Sequence, residues 1–187
     1  IRLLCDCRTS HGLLGNEDGR YRHSPTSAVF LDPRSPACLA PTARFLLTPA
    51  LLESYNHLTE IVRTGRTALP GDGTVEPENP IWVEFAKSMV PMMAPMAPHL
   101  AAIALDGKRG PISVLDLAAG HGIFGIEFAK QNPEAHIVAV DWAAVLTVAE
   151  ANARHAGVQA RYKTKAGSAF DVAFGGPHAG AVLANCL

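Results

Sequence analysis

Residues 114–125 read "VLDLAAGHGIFG". A short apolar run carries one acid, Asp116, and is followed by Gly120, Gly122 and Gly125, spaced as in G-x-G-x-x-G. An apolar run bounded by glycines predicts a buried strand turning tightly into a helix. Such a turn presents helix N-terminal amides, which can cradle the phosphates of a dinucleotide or hold a different nucleoside-bearing group.

Outward toward the C-terminus, the pattern alternates between strand and helix. Residues 112–117 predict the first strand, and 122–131 a helix stopped by Asn132-Pro133. Residues 136–140 predict a second strand ending at Asp141, and 146–156 a helix with Gly157 as its left-handed cap. Residues 158–165 and 181–187 predict a third and a fourth strand. This order predicts an α/β fold with a parallel sheet covered on both faces.

Asp116 bears on the choice of ligand. A carboxylate beside a pyrophosphate is repelled, whereas one beside a cationic amino acid is favoured, so S-adenosylmethionine fits this turn better than a dinucleotide. Asp141, at the tip of the second strand about 20 residues beyond the glycines, suits ribose hydroxyls in either case. Trp142 offers a face for an adenine. The stretch "AGSAFDV", 166–172, follows the third strand and is expected beside the strand-order switch. There Gly167 and Ala169 admit a close backbone approach, while Ser168 and Phe170 contact the base.

Toward the N-terminus the character differs. Residues 1–12 predict a helix closing at Gly12, and "LLGNEDGRYRHSP" a hairpin turning at Glu17-Asp18-Gly19. Ser24 and Pro25 predict the start of a short helix running through Phe30 and Leu31. Helix, hairpin and helix suggest a piece of winged helix. Residues 36–66 carry helical spacing in Leu46, Leu47, Leu51, Leu52, Tyr55 and Leu58. Residues 67–80 are a breaker-rich loop. In 81–105, Trp82, Phe85 and Met89 lie at helical spacing, and Pro91, Pro95 and Pro98 kink or interrupt the helix. Met89, Met92, Met93 and Met96 form a soft apolar cluster.

Composition narrows the classes. The 187 residues are 48% apolar and 18% charged, which is globular. With 16 basic against 17 acidic side chains, no basic excess exists to neutralise phosphates, so nucleic acid is a poor expectation despite Arg20, Arg22 and His23 on the hairpin. No apolar run suits a membrane span and no signal peptide is visible, so a cytoplasmic protein without membrane partner is expected. Cys5, Cys7, Cys38 and Cys186 read as reduced thiols, and no metal site is expected. The first residue, Ile1, and the last stretch, "AVLANCL", suggest a piece of a longer protein.

The stretches 114–142 and 148–172 resemble the S-adenosylmethionine-dependent O-methyltransferases with an N-terminal winged-helix dimerisation domain. The plant caffeate and acetylserotonin enzymes and many bacterial ones belong to that family. "GLLGNEDGRYRHSPTSAVFL" is similar to its first domain and "YNHLTEIVRTGRTALP" to its connector. The resemblance implies a Rossmann-like methyltransferase sheet, here its first four strands, preceded by a partial winged helix and a helical connector. The implied boundaries are 1–45, 46–106 and 107–187. Gly120 and Gly122 would lie under the methionine part of the cofactor, and Asp141 would hold its ribose. In the loop Gly167-Ser168-Ala169-Phe170, Ser168 replaces the family's Asp. "FAKSM" resembles a family stretch whose Phe85 and Met89 would wall the cofactor and acceptor pocket, with Met93 one turn on.

The family's catalytic His would follow the fourth strand, beyond Leu187. The chain as given is therefore expected to bind cofactor but not to turn over, and the full-length protein to be a homodimer. The acceptor implied is a small hydroxylated, aromatic molecule. Competing expectations are a nicotinamide-dependent oxidoreductase using the glycine turn and a DNA-binding regulator using the wing.

Overall fold

The structure is a computed structural model that describes residues 1–69 and 79–184. Most of the expected loop 67–80 and the end of the expected fourth strand, 185–187, lie outside the described residues.

Helix α1 (Arg2–Ser10) leads into a hairpin of β1 (Leu14–Glu17) and β2 (Arg20–His23). Asp18 and Gly19 both have positive φ, 51° and 77°, which matches a turn to the twist of the two strands. Tyr21 donates to Asp6 at 2.6 Å and ties the hairpin to α1. Helix α2 (Pro25–Phe30) starts as expected: Ser24 accepts the Ser27 amide at 3.3 Å, with Pro25 in the first turn.

The helical stretch resolves into three short helices, α3 (Ala40–Leu46), α4 (Pro49–Asn56) and α5 (Leu58–Thr64). Of these only α3 buries side chains, Thr42 and Phe45. The expected apolar positions Leu46, Leu47, Leu52, Tyr55 and Leu58 are exposed.

Helices α6 (Ile81–Met93) and α7 (Ala97–Leu105) bend through 76° at their junction. Pro91 is accommodated inside α6, Pro95 falls in the break, and Pro98 sits in the first turn of α7, where a missing N–H costs nothing. Met89 is buried and Met93 packs on the core, but Met92 and Met96 point outward, so the methionines do not form one cluster. No single helix among the described residues is long and apolar enough to cross a membrane.

The second half is built on β3 (Ile112–Leu117), α8 (Ile123–Gln131), β4 (Ala135–Asp141), α9 (Ala143–His155), β5 (Tyr162–Ala166) and β6 (Gly180–Val182). The four strands are parallel in the order β5-β4-β3-β6. Strand β5 starts later than expected because 159–161 first make a single 3₁₀ turn. Val114, Ile137, Ala139, Tyr162 and Val182 share a core with residues of α7, α8 and α9, so these helices cover one face of the sheet.

The other face is covered at its centre, where Leu115 and Val140 are buried, but by different means than the first. The connection from β5 back to β6 crosses the other face without a helix. It is pinned there by Lys165 donating to the Ala173 carbonyl at 2.6 Å and by Ser113 hydrogen-bonded to His178 at 2.8 Å. His136, Lys163 and Ala181 stay exposed on that side.

Helix α6 joins the two halves. Thr42 donates to the Ser88 carbonyl at 2.7 Å, and Phe85 packs edge-on against Phe45, with centroids 5.6 Å apart. On the sheet side, Ala86 packs with Val145 and Val148 of α9, flanked by Trp82, Val83 and Trp142.

Candidate functional site

The chain reverses between β3 and β6, so the C-terminal ends of those strands flank the crevice where open α/β sheets take ligands. The glycine turn leaves β3 at that point. Ala118 and Gly120 have φ of 50° and 55°, and Gly122, φ 73°, forms the N-terminal boundary of α8. A left-handed Ala costs about 1–2 kcal/mol, a strain of the kind that gathers at binding turns.

Asp141 closes the turn from the neighbouring strand. One carboxylate oxygen accepts the Gly120 amide at 2.8 Å and the other the Trp142 amide at 2.7 Å. Burial raises its pKa, and these two amides pull it back. A carboxylate oxygen has more than one acceptor site, so both retain capacity for a ligand hydroxyl. The Gly167 amide donates to the Asp141 carbonyl at 3.0 Å. This places the loop 167–170 beside the tip of β4. The expectation that this loop lies beside the strand-order switch is therefore corrected: β5 is the edge strand, two strands from the switch. Within the loop, the Ser168 hydroxyl accepts the Phe170 amide at 3.1 Å, and Phe170 is 97% exposed.

Asp116 faces inward. It is 2% exposed, lies on the Val114 face of β3, and accepts the Gly125 amide at 3.1 Å. Burial pushes its pKa up to about 7, the Gly125 amide lowers it, and the charge of Asp141 raises it further. Its carboxylate supports the turn from beneath.

Three further residues build the turn that sequence reasoning gave no such role. Buried His121 accepts the Ile123 amide on Nδ1 at 3.2 Å, so it caps α8 as a neutral ring; burial lowers its pKa to about 4. Asn152 of α9 donates to the His121 carbonyl at 2.8 Å. Tyr162 of β5 packs beneath the first turn of α8. Asn152 and Tyr162 act from other elements, so no spacing rule marks them, and His121 acts within the turn itself.

Gly120, Gly122, Asp116, Asp141, Trp142, Ser168, Ala169 and Phe170 thus gather at the C-terminal ends of β3, β4 and β5. The α6 residues are placed differently. Phe85 packs between Phe45 and Trp82, its ring centroid 5.7 Å from that of Trp82, and Met93 packs on the sheet core. Met89 is buried one turn from Phe85. A separate groove of about 260 Å³ runs along β6 between Leu100, Phe128 and Val182, with Lys108 at its rim; none of the expected site residues lines it.

Fold and site together define a Rossmann-like methyltransferase domain. Residues 100–173 match the family model described as the methyltransferase small domain. Among solved structures, a candidate O-methyltransferase of Nostoc punctiforme PCC 73102 is 45% identical with a TM-score of 0.87, covering 95% of this chain and 53% of that one. An O-methyltransferase family protein of Burkholderia thailandensis is 18% identical with a TM-score of 0.73, covering 89% of this chain and 49% of that one. Human N-acetylserotonin methyltransferase in complex with SAM is 20% identical with a TM-score of 0.69, covering 91% of this chain and 51% of that one. The last two show likeness of fold alone. No curated protein sequence matches the chain significantly. The methyltransferase part of the resemblance read from the sequence stands: the chain is homologous to O-methyltransferases, and it spans about half the length of these relatives.

Proposed function

We propose that this chain forms the cofactor-binding part of an S-adenosylmethionine-dependent O-methyltransferase acting on a small hydroxylated, aromatic molecule. The observation that carries this reading is the Asp141 carboxylate at the tip of β4, bonded to the glycine turn through Gly120 and to its own strand end through Trp142. The donor set suits a cationic nucleoside. The Asp141 carboxylate stands at this turn, and its charge opposes a pyrophosphate and favours an ammonium and a sulfonium, whereas Asp116 lies buried beneath the turn and acts on the turn alone. Human N-acetylserotonin methyltransferase, of similar fold, is solved with SAM.

When bound, S-adenosylmethionine supplies a methyl group on a sulfonium, open to in-line attack by an acceptor oxygen. Asp141 would hold the ribose, the backbone at Gly120 and Gly122 would admit the methionine part, and Trp142 with Ser168, Ala169 and Phe170 would enclose the adenine. Met89, Phe85 and Met93 of α6 would border the acceptor, where aromatic faces attract a sulfonium and thioethers adapt to a flat ring. Alignment of oxygen and methyl is the main work of such a site.

The chain divides in this reading into a partial winged helix (1–45), a connector (46–106) and the cofactor domain (107–187). The full-length protein pairs as a homodimer in the cytoplasm. The bare outer surfaces of α1 and α5, with Leu3, Leu4, Leu58 and Val62 exposed, support that pairing.

The test is titration calorimetry with S-adenosylmethionine, S-adenosylhomocysteine and NAD on the chain and on Asp141→Ala. Binding of the first two and not of NAD is expected. Asp141→Ala should weaken binding by about 1.5–3 kcal/mol, the worth of a charged hydrogen bond, with an unchanged circular dichroism spectrum. Equal affinities would overturn the assignment of Asp141.

A further inference from the structure

Tyr162 opens β5 opposite Ile137 and is buried. Its hydroxyl has no hydrogen-bond partner among the described residues. A Cβ at position 122 would stand 2.5 Å from that hydroxyl oxygen and 2.9 Å from the Ala149 Cβ, and a Cβ at 125 would stand 3.3 Å from Tyr162 Cε2. The ring therefore lies across the first turn of α8, in the space that two glycines leave. Burial, and after it the neighbouring Asp116, Asp141 and Glu150, raise the pKa of the phenol well above its ordinary value, so it stays protonated. With no partner for the hydroxyl, the ring's role here is steric.

The same strand carries a second part of the site. Four residues on, β5 ends at Ala166, and the Gly167 amide donates to the Asp141 carbonyl at 3.0 Å. One short strand thus bears both the ring that supports α8 and the loop that follows at 167–170.

We propose that Tyr162 is a positioning residue: its ring sets the height of the α8 N-terminus, and with it the turn 118–122, relative to the loop 167–170. This rests on the cofactor reading above. It accounts for Gly122, which admits the hydroxyl end of the ring, whereas Gly125 makes room chiefly for Asp116 and Ile137, with the ring edge beyond them. It also makes the ring, and not the hydroxyl, the functional part.

Titration calorimetry with S-adenosylhomocysteine on Tyr162→Phe, Tyr162→Leu and Val158→Ala tests this. Val158 lies in the same core and has no part in the turn. Tyr162→Phe is expected to bind within about twofold of the parent chain. Tyr162→Leu should bind at least tenfold more weakly, with faster amide exchange at Gly122 and Ile123. Val158→Ala, though destabilised, should keep its affinity. Three results would overturn the proposal: an unchanged Tyr162→Leu, a Tyr162→Phe as weak as Tyr162→Leu, or a Val158→Ala that loses as much. Should Tyr162→Leu not fold, Tyr162→Phe and the exchange rates at Gly122 in Tyr162→Met decide in the same way. A parent chain that fails to bind overturns the cofactor reading itself, a result separable from the rest.

Discussion

Helices α5 and α8 are both written as apolar residues at helical spacing, yet they meet different fates. Helix α8 buries six of its nine residues, from Phe124 to Ala129, between the sheet and its neighbouring helices. Helix α5 buries none of its seven. The difference is not one of propensity. Strands β3, β4 and β5 follow each other closely in the chain and supply α8 with an apolar floor from adjacent segments. Helix α5 has no such floor among the described residues, and its Leu58 and Val62 are 58% and 77% exposed. Apolar periodicity therefore announces a helix; whether its apolar side is covered depends on what else the chain brings near.

The sharpest way to break this contrast is to place a branched side chain where α8 tolerates none. A Cβ at Gly125 would stand 2.7 Å from the Asp116 carboxylate oxygen and 2.8 Å from Ile137 Cγ2, both buried and fixed. Gly125→Val is expected to cost about 3 kcal/mol or more, by overpacking and by disturbing the bond from the Gly125 amide to Asp116. Urea denaturation followed by circular dichroism measures it. At position 62 of α5, the same residue already stands in water without consequence. A cost under 1 kcal/mol at Gly125 would mean that α8 is less tightly seated than its burial shows.

How much of this was legible in the sequence follows the same division. The bounds of β3, the glycine cap of α9 and the Ser24-Pro25 start of α2 were read correctly, because each depends on neighbours in the chain. The gathering of Asp141 with the glycine turn was also legible, since strand order places it there. The inward aim of Asp116 was missed although the signal was present: in a strand, residues two apart share a face, and Asp116 shares that of Val114. The roles of His121 and Tyr162 were not legible, because a cap made within a tight turn and a ring laid against another strand's helix depend on tertiary geometry. The covering of the second face was hidden as well, since residues 167–179 cross it as an irregular segment that no period describes.

A second, smaller effect comes from the two buried titratable groups under α8. Asp116 has its pKa raised to about 7, so its contribution to stability is full below the ordinary carboxylate range and is lost as pH rises through about 7. His121 has its pKa lowered to about 4, so its contribution is full above the ordinary imidazole value and is lost as pH falls through about 4. The two slopes oppose each other between about pH 4 and 6.5. At roughly 1.4 kcal/mol per pKa unit, each is worth on the order of 2–4 kcal/mol. Asp116→Asn should leave the His121 slope, with melting temperature rising from pH 4 to 6.5. His121→Gln should leave the Asp116 slope, with melting temperature falling from pH 4 to 7. Slopes of the same sign in both variants would show that the region under α8 does not hold these groups as described. No such pair exists in α5, whose Glu60 and Arg63 both lie in the open.

The smallest expected effect tests the other side of the comparison. Leu58→Gln and Val62→Gln on α5 replace exposed apolar side chains with a polar residue of good helix propensity. Each removes little packing, because little exists, and the gain in propensity at position 62 offsets part of what is lost. The stability of this chain should therefore move by no more than about 0.5 kcal/mol for either variant, the range of ordinary surface substitutions. Truncating Leu146, buried in the α9 core, should by contrast cost about 2–5 kcal/mol as Leu146→Ala. Urea denaturation on the three variants under one set of conditions makes the comparison direct. Sedimentation equilibrium adds a second readout: an apolar face on α5 that joins two copies would show as an association that Leu58→Gln weakens, with monomer stability unchanged. A loss of more than about 1 kcal/mol from Val62→Gln in a chain that stays monomeric would mean that α5 packs against part of its own chain, and the contrast with α8 would fall.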